Sequence, residues 1–411
     1  MFKIVRFPSK LDSFFCSLTN EFLWDHFNYF RTLVLLIAFG WGKRNISSLY
    51  RHLDHETWCH RSRFNNFLHI SRWRPDEALS QKAYELIDRV KPRKRDEIYL
   101  IIDDSKKQKH GKIMDAVGWI RDPLIGRNIL GHQYVKATIL VRDFTIPFGI
   151  RLYVKDKDCT KLGLEFKKTT HLAAELIRSF NPPKGVKVRV LFDAYYLCPV
   201  VVGACREKGF VFISTLKSNR NLFKKGRKLK SGTYGKNLFR RQKKQKITIR
   251  KANGKASYYY LDAQWLQVGK LGKLHVVFSR KNRERGILAL VTDDRKLSPA
   301  DIIKAYNKRW SIEMFFKDAK QLLGLGQYQN RSYRAAVTHL HLVCFAYALL
   351  THIAIGREGE KGKRKKADRS SMGNIQNELR RIVWEDTASY LKDMPDGNSV
   401  VKELSRLLMA A

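Results

Sequence analysis

Acidic residues are scarce in this chain. Its 411 residues carry 38 Asp and Glu against 80 Lys and Arg, a formal net charge of +42. From Lys208 to Leu261 there is no acid at all, while Lys217–Lys255 alone holds 16 Lys and Arg. So large an excess makes a compact chain repel itself unless a polyanion is its working partner. The charge is spread along the whole length, which favours nucleic acid over a membrane surface. An anionic membrane calls for a basic amphipathic helix or a lipid anchor, and neither is evident. Cysteine is also sparse. The six residues (Cys16, Cys59, Cys159, Cys198, Cys205 and Cys344) form no CxxC pair, which argues against a disulfide framework and for a reducing compartment. His52, His55, Cys59 and His60 match no common zinc spacing, so they read as packed or solvated residues. Long apolar runs are missing too. Leu33–Gly40 and Leu340–Ile355 fall short of the ~20 residues a membrane span needs, and the second contains His341 and His352. No signal-peptide layout opens the chain. The expectation is a soluble, intracellular protein.

What is present suffices for a folded protein of two or three domains, with 44% hydrophobic residues. Residues 1–95 show apolar and aromatic residues at helical spacing, which predicts a helical domain. Two short helices there, the second basic, make it a candidate DNA-binding domain. Pro92–Asp96 reads as a linker. Residues 96–355 then read as an α/β core. Glu97-Ile-Tyr-Leu-Ile-Ile-Asp103-Asp104-Ser105 is an apolar strand ending in acids, and Lys187-Val-Arg-Val-Leu-Phe-Asp193 repeats that pattern. Strands apolar on both faces belong inside a covered sheet, and their C-terminal ends are where open α/β sheets place sites. Between them, Gly131–Asp143 and Ile146–Val154 read as two further strands and Thr170–Phe180 as a helix. Tyr195–Glu207 is predicted helical and Phe210–Leu216 a strand. About 217–285 lies a basic insertion with alternating patterns at Lys246–Lys251, Ala256–Gln267 and Lys273–Ser279, predicted β-rich and suited to tracking a phosphate backbone. Residues 356–411 hold a basic linker, Arg357–Arg369, and C-terminal helices.

Ser298–Gly324 predicts one helix. Ser298, Pro299 and Asp301 supply the N-cap, first-turn proline and capping-box acid, and Gly324 suits a helix end. Along it Tyr306, Arg309, Glu313 and Lys320 fall within a narrow stripe, at roughly 100° per residue. Three carboxylates therefore stand out: one of Asp103 and Asp104, then Asp193, then Glu313. Crowded carboxylates are costly unless they bind a cation, and an all-oxygen set favours Mg²⁺ or Mn²⁺ over zinc. Such ions can activate a water or a 3′-hydroxyl and stabilise the leaving oxygen of a phosphodiester.

The pattern Tyr306-x2-Arg309-x3-Glu313-x6-Lys320 resembles the Y-R-E-K signature of the DDE transposases of bacterial IS4-type insertion sequences. The surrounding YNKRWSIEMFFKDAKQLLGL, the IIDDS near the first acid and the VLFDAYY near the second are similar to that family as well. The resemblance spans about Tyr99 to Leu350. It implies an RNase H-like mixed-sheet core with a β-rich insertion, preceded by the helical N-terminal region and followed by C-terminal helices. It implies Mg²⁺-dependent (or Mn²⁺-dependent) cleavage at insertion-sequence ends and strand transfer into target DNA. Asp103, Asp193 and Glu313 correspond to the catalytic, metal-holding acids, with Asp104 the alternative to Asp103. Alternation along a strand lets only one of that pair point into the site. An acid followed after one residue by Ser or Thr favours Asp103, with Ser105 in the hydroxyl position. Tyr306, Arg309 and Lys320 carry over as DNA-contacting residues. Expected partners are double-stranded DNA, as transposon ends and target, and further copies of the chain in a homodimer or synaptic oligomer, in the bacterial cytoplasm at the nucleoid and without a membrane. Two other readings keep the same core: a metal-dependent nuclease without strand transfer, and a DNA-binding relative that has lost catalysis.

Overall fold

The computed structural model describes residues 3–93, 96–111, 113–123, 125–251, 254–282, 284–360 and 371–407. Four helices come first: α1 (Trp24–Phe39), α2 (Ile46–Tyr50), α3 (Arg61–Ile70) and α4 (Pro75–Val90). The proposed linker at Pro92–Asp96 includes residues 94–95, which lie outside the described residues. Strand β1 (Glu97–Gln108) follows, then β2 (Gly118–Asp122), β3 (Arg127–Val141), β4 (Phe144–Leu152), α5 (Asp156–Leu162), α6 (Thr169–Arg178), β5 (Lys187–Phe192), α7 (Pro199–Glu207) and β6 (Val211–Leu216). The basic stretch supplies β7 (Asn221–Lys224), β8 (Arg227–Lys230), α8 (Ser231–Arg241), β9 (Gln245–Lys251), β10 (Gly254–Val268) and β11 (Lys273–Lys281). The chain then forms β12 (Leu288–Thr292), α9 (Pro299–Asn307), α10 (Trp310–Gln321), α11 (Tyr333–Glu360), α12 (Met372–Lys392) and α13 (Gly397–Leu407). Most of the expected Arg357–Arg369 linker, from residue 361 on, lies outside the described residues.

One mixed sheet organises the molecule. The order β3-β1-β5-β6 places β1 at its centre, antiparallel to β3 and parallel to β5, and β6 parallel to β5. Ile98 to Ile102 are buried consecutively, as a strand covered on both faces requires. This is the mixed-sheet α/β core anticipated above, with helices before and after it. Beyond β6 the sheet continues antiparallel through β12, β11 and β10, so the basic stretch extends the same sheet instead of standing apart from it.

Several boundaries differ from the sequence reading. β1 runs three residues past Ser105, so Asp103 and Asp104 lie inside a strand and not at its end. The reason is β3, whose pairing with β1 continues as far as Gln108 and Gly131. The predicted helix from Tyr195 begins only at Pro199, because the backbone N–H groups of Tyr195 and Tyr196 turn onto Asp193. Helix α8 interrupts the insertion predicted to be β-rich; the ring of Phe278 packs so closely on Gly235 that an added Cβ would sit 2.6 Å from it.

The N-terminal helices share one apolar core with the sheet. Helix α11 lies between them, touching α1, α3, α4, β4 and α12. By length and composition Tyr333–Arg357 could cross a membrane, but most of it is buried inside the molecule as a core helix. The histidines near the N-terminus are structural. His52 is buried between Ser48 O (3.0 Å) and the Trp41 N–H (3.3 Å), His55 stacks on Tyr50, and His60 Nδ1 accepts from Ser62 N (3.3 Å) to cap α3.

Candidate active site

Register brings the first two acids level. Parallel pairing of β1 and β5 ends at Ile101 opposite Leu191, so two residues further on Asp103 and Asp193 stand side by side. There β5 has ended, while β1 runs on beside β3 as far as Gln108. Asp193 is held by its own turn: its Oδ1 accepts from Tyr195 N (2.9 Å) and Tyr196 N (3.4 Å), while its carbonyl accepts from Ser214 Oγ on β6 (3.1 Å).

The third acid arrives on α10, but not on a single straight helix. Ser298 does cap as expected, its Oγ accepting from Asp301 N (3.2 Å) and donating to the Asp301 carboxylate (2.7 Å). The helix then tightens at Lys308 and Arg309. Arg309 N donates to Tyr306 O (2.9 Å) and Ile312 N to Arg309 O (3.1 Å), i to i+3 bonds that divide α9 from α10. This corrects the expected continuous helix. The four-residue stripe is split accordingly, with Tyr306 on α9, Arg309 at the joint, and Glu313 and Lys320 on α10.

The joint sets Arg309 between two acids. Its Nη1 donates to Asp103 Oδ2 (2.9 Å) and its Nη2 to Glu313 Oε1. Tyr306 lies beside it, the guanidinium carbon 5.8 Å from the ring centroid. Burial, and to a smaller degree the neighbouring carboxylates, hold the Tyr306 hydroxyl above its usual range, with Arg309 opposing. For Asp103 burial is the largest influence and pushes its pKa to about 7; Arg309 pulls it down, while the Asp193 and Asp104 charges raise it further. One guanidinium therefore does not neutralise this pocket.

Asp104 faces other partners. Its Oδ2 accepts from Gln133 Nε2 (2.8 Å) and pairs with Lys106 Nζ (3.4 Å), and its Oδ1 accepts from Tyr196 OH (3.2 Å). Ser105 is buried next to it on β1. Lys320 stands apart from the cluster. It lies about 10 Å along the helix from Glu313 at 1.5 Å per residue, over the ring of Phe316 and near Lys106 and Lys107. Burial, then those lysines, lower its pKa. Asp103, Asp193, Tyr306, Arg309 and Glu313 thus come together, and Lys320 does not join them.

The donor set suits a hard divalent cation in kind: half-buried carboxylate oxygens, one of them on an acid whose pKa burial lifts to about 7 against the pull of Arg309. Among the described residues, however, no three His, Cys, Asp or Glu are close enough to share an ion as placed. Arg309 occupies the gap between Asp103 and Glu313, so holding an ion requires its guanidinium to swing out.

Sequence reasoning missed a second cluster at the opposite end of the same strands. Arg189 on β5, 2% exposed, donates through Nε to Glu97 Oε2 (2.9 Å), through Nη2 to Glu97 Oε1 (2.7 Å) and through Nη1 to Asp294. Lys187 Nζ adds a bond to Asp294 Oδ2 (3.0 Å) and Tyr99 OH one to Glu97 Oε2 (2.5 Å). It locks β1 to β5 and anchors the turn that feeds α9, so it fixes the direction from which Tyr306 and Arg309 approach. The signal was an Arg between two valines in an otherwise apolar strand.

Residues 167–349 match the family model of the transposase DDE domain. The match supports a DDE transposase, an enzyme of DNA transposition. It covers less than half of the chain and includes Asp193 and Glu313, whereas Asp103 lies upstream of it. Among solved structures, the chain is similar to a piggyBac transposase in a synaptic complex with hairpin DNA, at 11% identity and a TM-score of 0.49. The alignment covers 94% of this chain and 76% of that one. None of the curated proteins matches the chain.

Proposed function

We propose that this chain is a transposase of the IS4-type group, cleaving DNA at the ends of an insertion sequence and joining them to target DNA. The observation that carries the proposal is Arg309 bridging Asp103 and Glu313, with Asp193 just past the end of the strand paired to β1 and its charge acting on Asp103, in a chain of net charge +42. Asp103 is the first acid in this reading, supported by its contact with Arg309, while Asp104 is engaged by Gln133, Lys106 and Tyr196. Asp103, Asp193 and Glu313 would hold Mg²⁺ or Mn²⁺, which supplies activation of a water or 3′-hydroxyl and stabilisation of the leaving oxygen.

The protein's own groups do the rest. Arg309 releases the two carboxylates and turns its five donors to a DNA phosphate, for which its planar fork is suited. Tyr306, half-buried beside it, fixes that guanidinium and offers a hydroxyl to the same strand. Lys320, two to three turns on, binds the backbone further along. The basic stretch from β7 to β11 and the N-terminal helices α2 and α3 hold the duplex on either side. Assembly as a dimer or larger synaptic complex, and action at the bacterial nucleoid, complete the reading.

The test is a joining assay with the DNA flanking the gene as donor, a supercoiled plasmid as target, and Mg²⁺ or Mn²⁺. Covalent donor–target products from the wild type, absent with Asp193→Ala or Glu313→Ala, are the expected result. Cleavage without joining would instead identify a nuclease, and joining by both variants would sink the assignment.

A further inference from the structure

A cleft of about 690 Å³ opens beyond the acids, between the turn after α1, the far end of β1 and the 326–331 turn. No carboxylate lines it. Lys43, Lys107 and Arg331 contribute cations beside the buried Lys109, and none of the three makes an ion pair among the described residues. Asn45, Gln327 and Gln329 contribute amides to the same wall. Two bonds stiffen that wall: the buried Lys109 ammonium donates to Gly326 O (2.8 Å) and Tyr328 O (2.7 Å). A third ties it to the N-terminal helices, where Gln327 Oε1 accepts from Arg44 N (2.9 Å). The pocket is therefore built from both parts of the chain, with His110, Gly111, Ile113 and Met114 of the loop after β1 completing its lining.

Its position relates it to the acids. Lys107 is four residues beyond Asp103 on β1, which puts it on the same face and about 13 Å away at the rise of a strand. Lys106 and Lys107 also lie near Lys320, so a row of cations leads from the acids to the cleft. Surface lysines are enough to track a phosphate backbone. A concave cleft with amides beside its cations can do more, because amide donors and acceptors match the edges of bases. A base inside a duplex cannot enter a cavity; one that is unpaired or turned out of the stack can. The volume is within the range of small-molecule sites, about 300–1,000 Å³.

We propose that this cleft binds an unpaired nucleotide of the DNA strand that passes the acids, with Lys43, Lys107 and Arg331 on its phosphate and Gln327 and Gln329 on its base. The inference rests on the reading of the chain as a DNA-processing enzyme but not on its chemistry. It gives the site a means of preferring DNA opened near the cut over intact duplex.

The test measures binding in a metal chelator, so that no cleavage is needed. A fluorescent duplex with a five-nucleotide single-stranded tail is compared with the blunt duplex of the same sequence. The full-length protein is expected to bind the tailed DNA about tenfold more tightly. Combined Lys43→Gln, Lys107→Gln and Arg331→Gln removes that preference while blunt-duplex binding falls at most severalfold, and Gln329→Ala alone narrows it. A nucleoside monophosphate should compete for the tail better than inorganic phosphate. No preference in the wild type, equal weakening of both DNAs by the triple variant, or equal competition by the two phosphates overturns the proposal. Because joining is measured separately, failure here and failure of the transposase reading are distinguishable.

Discussion

Two arginines sit at opposite ends of the same pair of parallel strands, each between two carboxylates, and their surroundings differ. Arg189 is sealed in a closed network. Burial opposes every charge there, yet the hydrogen bonds prevail: Glu97 is held below its usual pKa and Asp294 falls to about 2. Arg309 is more accessible, and its network does not close. Asp103 beside it rises to about 7, because burial and the Asp193 charge outweigh the guanidinium. The first cluster is complete in the protein alone. The second leaves one carboxyl raised far above its usual range, a perturbation of the kind that gathers at functional sites.

That contrast can be broken at either end. The largest effect expected is on chemistry. Asp193→Ala or Glu313→Ala should cost about three orders of magnitude or more in DNA cleavage, equivalent to ~4 kcal/mol of lost transition-state stabilisation. Circular dichroism and melting should show the variants folded. At the other end, Arg189→Met leaves Glu97 and Asp294 buried without their partner. Removing one member of a buried ion pair costs about 3–5 kcal/mol, so urea unfolding should show a loss of that order.

The sign of a smaller pair of changes separates the clusters further. In metal-free buffer near neutral pH, Asp103→Asn should stabilise the protein by about 1 kcal/mol, since it removes a charge the pocket does not fully compensate. Glu97→Gln should destabilise it by about 1–3 kcal/mol, since it weakens charge-assisted bonds. Melting temperatures moving the same way in both would erase the distinction.

Acid should act on the sealed cluster with a definite sign. The folded pKa of Asp294 is about 2, below the 3.8 usual for an aspartate. Its contribution is therefore fully present above pH ~4 and is lost as pH falls toward about 2, amounting to ~2 kcal/mol. Arg189→Met should flatten that part of the stability profile. The smallest effect expected is that of Asp104→Asn on cleavage, severalfold at most, because Asp104 is already engaged by Gln133, Lys106 and Tyr196.

Much of this was legible in the sequence because the signals were local. Two apolar strands ending near acids, a capping box at Ser298 and the spacing of Arg309 and Glu313 each need only a short window. The strands of the basic stretch could be read from alternation, and β9, β10 and β11 formed close to where it placed them. What escaped depends on distant partners. Helix α8 carries Gly232 and Gly235, which disfavour helix in isolation, and is held by packing on Phe278. Arg189 meets Glu97 and Asp294, 92 and 105 residues away in sequence. The tightening that divides α9 from α10 falls at Arg309, which pairs with Asp103, 206 residues away in sequence, and no periodicity encodes that contact. The candidate acids and Arg309 were therefore readable as residues, but the placing of its guanidinium between Asp103 and Glu313 was not.

The central claim is that the cluster around Arg309 is the catalytic centre. It is tested most directly by nicking of a supercoiled plasmid by the wild type, Glu313→Gln and Asp104→Asn proteins, with and without Mg²⁺ or Mn²⁺. The account predicts metal-dependent nicking by the wild type and Asp104→Asn proteins and none by Glu313→Gln. Nicking by Glu313→Gln at the wild-type rate would contradict it.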